Sequence, residues 1–243
     1  MDNNLLPETK HPNEHLEWRF YGRRAGRKLN SLRQKVIDEV LPPIEIKDEI
    51  LDSNGDLSVD DLFTRTADKV IFEIGFGNGE RLAEMMRREP NNNYIAAEAF
   101  INGVSAFLVE DSISEAKNLR VRPDDAIPLV KSLEDDSINQ LYVLNPDPWH
   151  KTRHHKRRIV NGENLDEFTR ILKPGAELIL STDVPDLSEW MITHAARHKH
   201  LKWRANSKFD WLVPPEGWIQ TRYETKGAKG AANMHYMIFD CIK

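Results

Sequence analysis

Cysteine is nearly absent from this chain of 243 residues, and Cys241 is the only one. A single cysteine excludes an internal disulfide and a cysteine-based metal site, and it fits a reducing cytoplasm. Long apolar runs are also missing, since stretches such as residues 141–144 are far too short to span a bilayer. The polar N-terminal residues lack the basic and apolar regions of a secretory signal. These absences predict a cytoplasmic protein without a membrane partner.

An excess of positive charge is missing too, because the formal net charge is −5. This sum argues against a protein that coats nucleic acid, yet the charge is unevenly distributed. Residues 18–37 carry seven basic residues without an acid, and residues 150–158 carry five, together with three histidines. Residues 45–61 carry seven acids and one lysine. A chain with such segregated charge can still present a basic face to a nucleic acid.

Apolar runs typical of buried strands alternate with helical periodicity from about residue 69 onward. This alternation predicts an α/β fold, a doubly wound and mostly parallel twisted sheet with helices on both faces. The chain divides into an N-terminal basic arm and helix (1–43), an acidic linker or exposed excursion (44–66) and a core domain (67–243). Strands are predicted at 69–75, 93–99, 118–121, 137–144, 176–182 and 234–242, and helices at 29–41, 80–89, 101–116, 125–133, 161–172 and 186–198.

Three glycines follow the first predicted strand, in the run Glu73-Ile74-Gly75-Phe76-Gly77-Asn78-Gly79. Glycines at a strand-to-helix junction permit a tight turn and a close approach of a ligand to the backbone. The G-x-G-x-G spacing differs from the G-x-G-x-x-G of dinucleotide-binding proteins. Glu73 would repel a pyrophosphate, whereas it suits a ligand with an ammonium and a sulfonium, such as S-adenosylmethionine. The loop alone is a weak signal, because other nucleotide-binding proteins use similar turns.

Two further acids follow the second and third predicted strands. Glu98 lies about 20 residues beyond the glycine loop, where an acid usually binds ribose hydroxyls. Asp125 could hold an adenine amino group, with the adjacent Asp124 as the alternative. Any one of these acids could simply be solvated at a strand end. Together with Glu73 they mark the sheet edge along which ligands of such folds bind.

The segment Asn145-Pro146-Asp147-Pro148-Trp149-His150-Lys151 follows the fourth predicted strand. Two prolines restrict the backbone around Asp147 and would hold its carboxylate in a fixed place. The basic run from Thr152 to Arg158 comes directly afterwards, and we interpret it as a phosphate clamp rather than an ordinary solvated surface. Its histidines have no carboxylate or cysteine to complete a ligand set, so no metal site is expected.

These segments resemble the bacterial tRNA (guanine-N7-)-methyltransferase family, which modifies the guanosine at position 46 in the tRNA variable loop. The most specific part is Pro-Asp-Pro-Trp-His-Lys with the basic run behind it. Two departures are Leu144-Asn145, where many members have two phenylalanines, and the segment 44–66, which is longer than in the shortest members. In chain order, the matching segments are Arg23-Arg24-Ala25-Gly26-Arg27, the glycine loop, residues 146–151 and 153–158, Thr182-Asp183 and Thr221-Arg222-Tyr223-Glu224-Thr225-Lys226-Gly227.

The resemblance implies a Rossmann-like class I methyltransferase with an antiparallel last strand, S-adenosylmethionine as methyl donor and tRNA as partner. It implies that Asp147 is catalytic and that Glu73, Glu98, Asp125 and Asp147 contact the cofactor. For the substrate guanosine and its surroundings it implies Lys151, Asp183, Thr221, Arg222, Tyr223 and Glu224. To these we add Gly75, Gly77 and Gly79 for the cofactor, and Arg23, Arg24, Arg27, Lys28, Arg153, His154, Lys156, Arg157 and Arg158 for RNA.

Other classes of function stay open at the level of sequence. A nicotinamide-dependent oxidoreductase would suit the sheet, the glycine loop and Glu98, although Glu73 and the glycine spacing argue against it. A non-catalytic RNA-binding protein on a methyltransferase scaffold would be expected to have lost the cofactor acids, which are present here. A methyltransferase acting on proteins or small molecules fits the two basic segments less well. No obligate protein partner is evident, so a monomer or homodimer is expected.

Overall fold

A computed structural model describes residues 20–52, 54–221, 223–224 and 234–243. A seven-stranded sheet forms its centre. The strands are β1 (Val70–Ile74), β2 (Asn93–Ala97), β3 (Leu119–Arg122), β4 (Ile138–Leu144), β5 (Leu172–Thr182), β6 (Leu201–Trp203) and β7 (His235–Cys241), in the spatial order β3-β2-β1-β4-β5-β7-β6. The helices are α1 (Ser31–Glu39), α2 (Val59–Leu62), α3 (Glu80–Arg88), α4 (Ile101–Phe107), α5 (Ala126–Ser132), α6 (Gly162–Ile171), α7 (Pro185–Ala196) and α8 (Phe209–Leu212).

The sheet is parallel from β3 through β5, and β7 runs antiparallel between β5 and β6. Its central strands are buried on both faces, and every residue of β2 is buried. Residues of α5, α6 and α7 pack on one apolar cluster, and residues of α3 and α4 pack on the other. Helices therefore cover both faces, as a parallel sheet requires. The predicted doubly wound sheet with an antiparallel last strand is confirmed.

The acidic segment 44–66 is not an exposed excursion. Ile46 is fully buried and donates its backbone N–H to Val121 of β3 at 2.8 Å. Val59, Leu62 and Phe63 are also buried in the core. The backbone of residues 44–46 pairs with Val121 and so covers part of the outer edge of the sheet, where β3 would otherwise leave backbone groups unpaired.

Two predicted boundaries are wrong. The helix predicted at 101–116 ends at Phe107 and gives way to a 3-10 turn, Asp111–Ile113. Ser112 and Ser114 belong to a residue type whose side chain competes with helical hydrogen bonds, which accounts for the early end. Strand β5 begins at Leu172 rather than 176, because Leu172 pairs with Ile138 before an irregular, exposed Pro-Gly step. The three-residue strand β6 and the short helices α2 and α8 were not predicted.

None of the helices in the described ranges has the length and apolarity needed to cross a membrane.

Candidate functional site

The glycine loop connects β1 to α3 at the carboxyl end of the sheet. Gly75 and Gly77 have φ angles of 77° and 61°, which lie in the left-handed region that glycine adopts without strain. A Cβ atom added to either residue would meet no described atom within 4 Å. The backbone of the loop therefore borders open space, as expected where a ligand approaches the main chain.

Gly79 serves a different purpose in the same loop. It caps the N-terminus of α3, and a Cβ atom added there would lie 2.2 Å from the ring of Phe107. Phe107 is fully buried in α4. Gly79 therefore permits the close packing of the glycine loop on α4 and does not face the open space.

Glu98 joins the glycine loop to the end of β2. Its carboxylate accepts hydrogen bonds from the backbone N–H groups of Gly77 and Phe100, both at 2.8 Å. Burial raises the pKa of the Glu98 carboxyl, the two backbone donors act against that shift, and the negative charge of Asp147 adds to it. Glu98 and Asp147 thus lie close enough to influence each other electrostatically.

The segment around Asp147 is held in a strained conformation. Asn145 and Trp149, which flank the Pro-Asp-Pro sequence, have φ angles of 48° and 45°. Such left-handed residues cost on the order of 1–3 kcal/mol each and persist only where the surroundings hold them. Arg158 supplies part of that hold, because its Nε donates to the carbonyl of Pro148 at 3.0 Å.

A cavity of about 720 Å³ lies at the carboxyl ends of the first four strands. Gly75 and Asp147 both line it, so the glycine loop and the proline-flanked aspartate open onto the same space. Glu98 and Asp125 line it as well, and Ala97, Ile127 and Val143 add apolar surface. The cavity combines apolar walls with several carboxylates, which suits a ligand that has a flat apolar ring, hydroxyl groups and positive charge.

Asp124 and Asp125 both line the cavity but are engaged differently. The Asp125 carboxylate caps α5 by accepting the backbone N–H of Ile127 at 3.1 Å. Asp124 forms an ion pair with Arg24 of the N-terminal segment. The two neighbouring acids thus tie different elements to the cavity wall.

Glu73 lies outside the cavity lining. The residue is 2% exposed, and its carboxylate accepts a hydrogen bond from Nη1 of Arg81 at 2.9 Å. Burial raises the pKa of the Glu73 carboxyl, and the adjacent guanidinium acts in the opposite direction. In this structure the acid that precedes the glycines therefore contacts a residue of α3 instead of facing the open space.

The described residues predicted to contact the substrate lie outside the cavity lining. Asp183 is buried at the end of β5 and accepts a hydrogen bond from the hydroxyl of Tyr223 at 2.9 Å. The hydroxyl oxygen of Thr221 accepts from the backbone N–H of Glu224 at 3.2 Å. Lys151 is exposed at the start of the basic run, and the predicted site residue Arg222 lies outside the described residues.

The predicted phosphate clamp is only partly exposed, and one of its members is buried. Arg158 is 1% exposed and pairs with Asp186, so it anchors the loop and cannot meet a phosphate in this conformation. The guanidinium of Arg157 stacks between the rings of Tyr21 and Trp149, 4.3 and 5.1 Å from their centroids. His154 is partly buried, and the exposed members of the predicted RNA-contacting set are Arg23, Arg24, Arg27, Lys28, Arg153 and Lys156.

Sequence reasoning missed several residues that line the cavity. Phe20, Tyr21 and Gly22 reach it from the N-terminal segment, and Trp190 and His194 reach it from α7. The backbone N–H of Ile101 bonds the carbonyl of Arg24 at 2.9 Å, which holds the N-terminal segment against α4. No sequence motif marks these residues as neighbours of the glycine loop. Across the described ranges, no group of three or more histidine, cysteine or acidic side chains is arranged to hold a metal ion.

Comparison with known proteins identifies the class first. The model of a family described as "Putative methyltransferase" matches residues 67–237. The solved structure of the 16S rRNA methyltransferase KamB superposes with a TM-score of 0.50 at 15% identity, covering 73% of this chain and 90% of that chain. At that identity the likeness shows the fold alone, and the fold is that of a class I methyltransferase.

Curated relatives identify the family within that class. The tRNA (guanine-N(7)-)-methyltransferase of Brucella anthropi is 36% identical over 90% of this chain and 93% of its own length. That of Rhodospirillum rubrum is 35% identical over 91% of this chain and 87% of its own length. The chain belongs to the tRNA (guanine-N7-)-methyltransferase family.

Proposed function

We propose that this chain transfers a methyl group from S-adenosylmethionine to N7 of a guanosine in tRNA, at position 46 of the variable loop, in the cytoplasm. The observation that carries the proposal is the shared cavity, because Gly75, Glu98, Asp125 and Asp147 all open onto it. The curated relatives are named for this reaction, and their similarity extends over nine tenths of the chain.

The residues of the cavity fit S-adenosylmethionine. Glu98 keeps carboxylate oxygens at the end of β2, where ribose hydroxyls are usually bound. Asp125, or Asp124 beside it, would receive the adenine amino group, and Ile127 and Val143 would pack against the ring. When bound, S-adenosylmethionine supplies a methyl group on a sulfonium, which is activated for displacement. The open space beside Gly75 and Gly77 leaves room for a ligand along the backbone.

Glu73 fits the cofactor only indirectly in this conformation. Its carboxylate is paired with Arg81, so a direct contact with the cofactor would require that ion pair to loosen. We retain Glu73 as a cofactor residue on the basis of its place before the glycine loop. The cofactor affinity of a Glu73→Gln variant would measure the contribution of this carboxylate.

Asp147 is the residue that we assign to the chemistry. N7 of guanine has a lone pair and no proton to remove, so the reaction requires no strong general base. A carboxylate beside the base favours the positive charge that develops on the purine. It can also accept hydrogen bonds from N1–H and the 2-amino group and so fix the orientation of the base. Alignment of reacting groups supplies roughly 7–11 kcal/mol in favourable cases.

The strain around Asp147 supports this assignment. Left-handed residues on both sides of the Pro-Asp-Pro sequence fix the position of the carboxylate. Arg158 holds the loop through its hydrogen bond to the carbonyl of Pro148. The guanosine must unstack from its neighbours in the folded RNA before it can reach Asp147, at a cost of a few kcal/mol. The exposed basic residues of both segments would offset that cost by binding phosphates.

The test is incubation with labelled S-adenosylmethionine and unmodified tRNA, followed by mapping of the modified nucleoside. We expect N7-methylguanosine at position 46, and Asp147→Asn should lower kcat on the order of 10²-fold or more. Asp56→Asn, which neutralises an exposed acid of the segment 44–66, is the matched control and should retain full activity. Near wild-type turnover by Asp147→Asn would overturn the role of Asp147.

The same preparation separates the remaining classes of function. S-adenosylhomocysteine should raise the melting temperature of the protein, since a ligand stabilises the state that binds it. NAD should leave the melting temperature unchanged. Stabilisation by NAD alone would favour an oxidoreductase, and tRNA binding without methylation would favour a non-catalytic RNA-binding protein.

A further inference from the structure

Arg81 is a buried arginine with one acidic partner. It lies in the first turn of α3, two residues after Gly79, and is 5% exposed. Its guanidinium donates to the carboxylate of Glu73 at 2.9 Å. Glu73 precedes the glycine loop and Arg81 follows it, so this ion pair joins the two ends of the loop. A charge-assisted bond shielded from water is stronger than the same contact at the surface.

Two aromatic rings enclose the guanidinium of Arg81. The ring of Tyr142 lies 4.2 Å from the guanidinium carbon, and the ring of Trp218 lies 5.1 Å from it. Tyr142 is also the register partner of Glu73 across β1 and β4, so its place is fixed by the sheet. Trp218 comes from a segment near the C-terminus. A planar guanidinium stacks on aromatic faces in a way that a lysine cannot reproduce.

Trp218 connects this arginine to the predicted substrate residues. Its indole Nε1 donates to Oε2 of Glu224 at 3.1 Å. The backbone N–H of Glu224 bonds the hydroxyl oxygen of Thr221, and Ile219 packs against the core next to α3. Trp218 itself lies outside the cavity lining. A continuous series of contacts therefore runs from the glycine loop through one guanidinium to Glu224.

We propose that Arg81 is a positioning residue that couples the glycine loop of the cofactor site to the segment 218–224 on the substrate side. The proposal rests on the proposed function and adds a link between its two binding sites. Stacking by Trp218 keeps the Arg81–Glu73 pair away from water, and the pair keeps the loop in shape. A change at Trp218 should therefore alter affinity for the cofactor, although Trp218 lines no part of its cavity.

The experiment measures the Kd of S-adenosylhomocysteine by calorimetry for the full chain. Trp218→Leu should raise that Kd about 5- to 10-fold. Trp211→Leu is the matched control, because Trp211 packs on Trp203 and His235 away from Arg81, and its Kd should stay within about 2-fold of wild type. Arg81→Lys keeps the charge but loses the planar stack, so it should weaken binding to a similar degree. Adding Trp218→Leu to Arg81→Lys should then have little further effect, as expected for residues that act in one series.

A second variant separates positioning from mere structure. Trp218→Phe keeps a ring over Arg81 and loses the indole N–H that reaches Glu224. It should restore the wild-type Kd for S-adenosylhomocysteine and raise the KM for tRNA. If Trp218→Leu does not fold, Trp218→Phe and Arg81→Lys still decide the question. Unchanged cofactor affinity in Arg81→Lys or in folded Trp218→Leu, or weakened affinity in Trp218→Phe, would overturn the coupling. Failure of the wild-type chain to bind S-adenosylhomocysteine would instead overturn the proposed function.

Discussion

Glu98 bonds the backbone of the glycine loop and also lines the cavity. The N–H groups of Gly77 and Phe100 favour its ionised form, whereas burial works against the charge and raises its pKa. The backbone donors keep the ionised form favourable enough to be useful. The affinity for any ligand hydroxyl at this position therefore depends on pH over a range displaced upward from that of an exposed glutamate.

We expect the affinity for S-adenosylhomocysteine to fall as the pH drops through the raised pKa of Glu98. The protonated carboxyl is a poorer acceptor for ribose hydroxyls. The contribution of Glu98 itself to protein stability should change in the opposite direction, because a carboxyl with a raised folded-state pKa stabilises the fold when protonated and loses that contribution as the pH rises through the folded-state pKa. Calorimetric titrations across the acid range would measure the affinity, and urea unfolding would measure the stability.

Glu98→Gln provides the control for that prediction. Glutamine keeps the size of the side chain and cannot titrate. Its weaker affinity should therefore be independent of pH over the same range. A profile for Glu98→Gln that parallels the wild type would assign the pH dependence to another group.

Single residues also show what a sequence can reveal and what it cannot. The position of Asp147 and Glu98 at one cavity could be predicted, because each follows a buried strand and such strands end at a common edge. The burial of Arg158 could not, since a run of six consecutive basic or histidine residues does not indicate which member turns inward to bond Pro148. The pairing of Glu73 with Arg81 likewise depends on how α3 leaves the loop, and no local pattern encodes it.

At the scale of elements, the glycine loop combines an open side with a packed side. Gly75 faces open space, whereas Gly79 lies against Phe107. Strand and helix types in the core followed from apolar periodicity. The predicted boundaries were wrong at two places: turn-forming side chains ended α4 early, and β5 began immediately after α6. The prediction of an exposed excursion at 44–66 was wrong for another reason. The many acids of this segment suggested exposure, although the apolar residues between them are buried.

Gly79→Ala should destabilise the protein more than Gly175→Ala. Both glycines have nearly the same positive φ, 77° and 78°, so alanine is strained at either position. A Cβ atom at Gly175 meets open space, whereas at Gly79 it lies 2.2 Å from the Phe107 ring. We expect about 1–2 kcal/mol for the strain alone and roughly 1–3 kcal/mol more for the overlap. Equal urea midpoints for the two variants would show that α4 moves freely.

On the scale of the whole molecule, charge segregation reconciles a net charge of −5 with a nucleic-acid partner. The N-terminal basic segment and the basic run after Asp147 meet at the cavity, where Arg157 stacks on Tyr21. Residues 45–61, which are rich in acids, pair with β3 at Glu45 and with the end of α5 at Leu57. Sequence alone predicted both basic segments, but only the fold brings them together.

Affinity for tRNA should fall linearly with salt concentration on logarithmic axes, with a slope of about −0.7 to −0.9 per contacted phosphate. Arg153→Ala and Lys156→Ala should each reduce the magnitude of that slope by about one contact. Lys47→Ala removes an exposed lysine of the acidic segment and should leave the slope unchanged. Filter binding at several salt concentrations would measure it, and equal slopes for all three variants would exclude the basic run from the interface.

The left-handed residues beside Asp147 link the thermal stability of the protein to its catalytic rate. A change that relaxes them should raise the melting temperature and lower kcat. Glycine at position 145 would relax the loop, because it adopts a φ of 48° without a Cβ penalty. Asn145→Gly should therefore raise the melting temperature and lower kcat, as the aspartate samples positions from which it cannot act. A variant with both a higher melting temperature and a higher kcat would mean that the left-handed backbone at Asn145 does not contribute to catalysis. A higher melting temperature with a lower kcat would mean that the native chain gives up part of its folding free energy to hold the Asp147 carboxylate in one position.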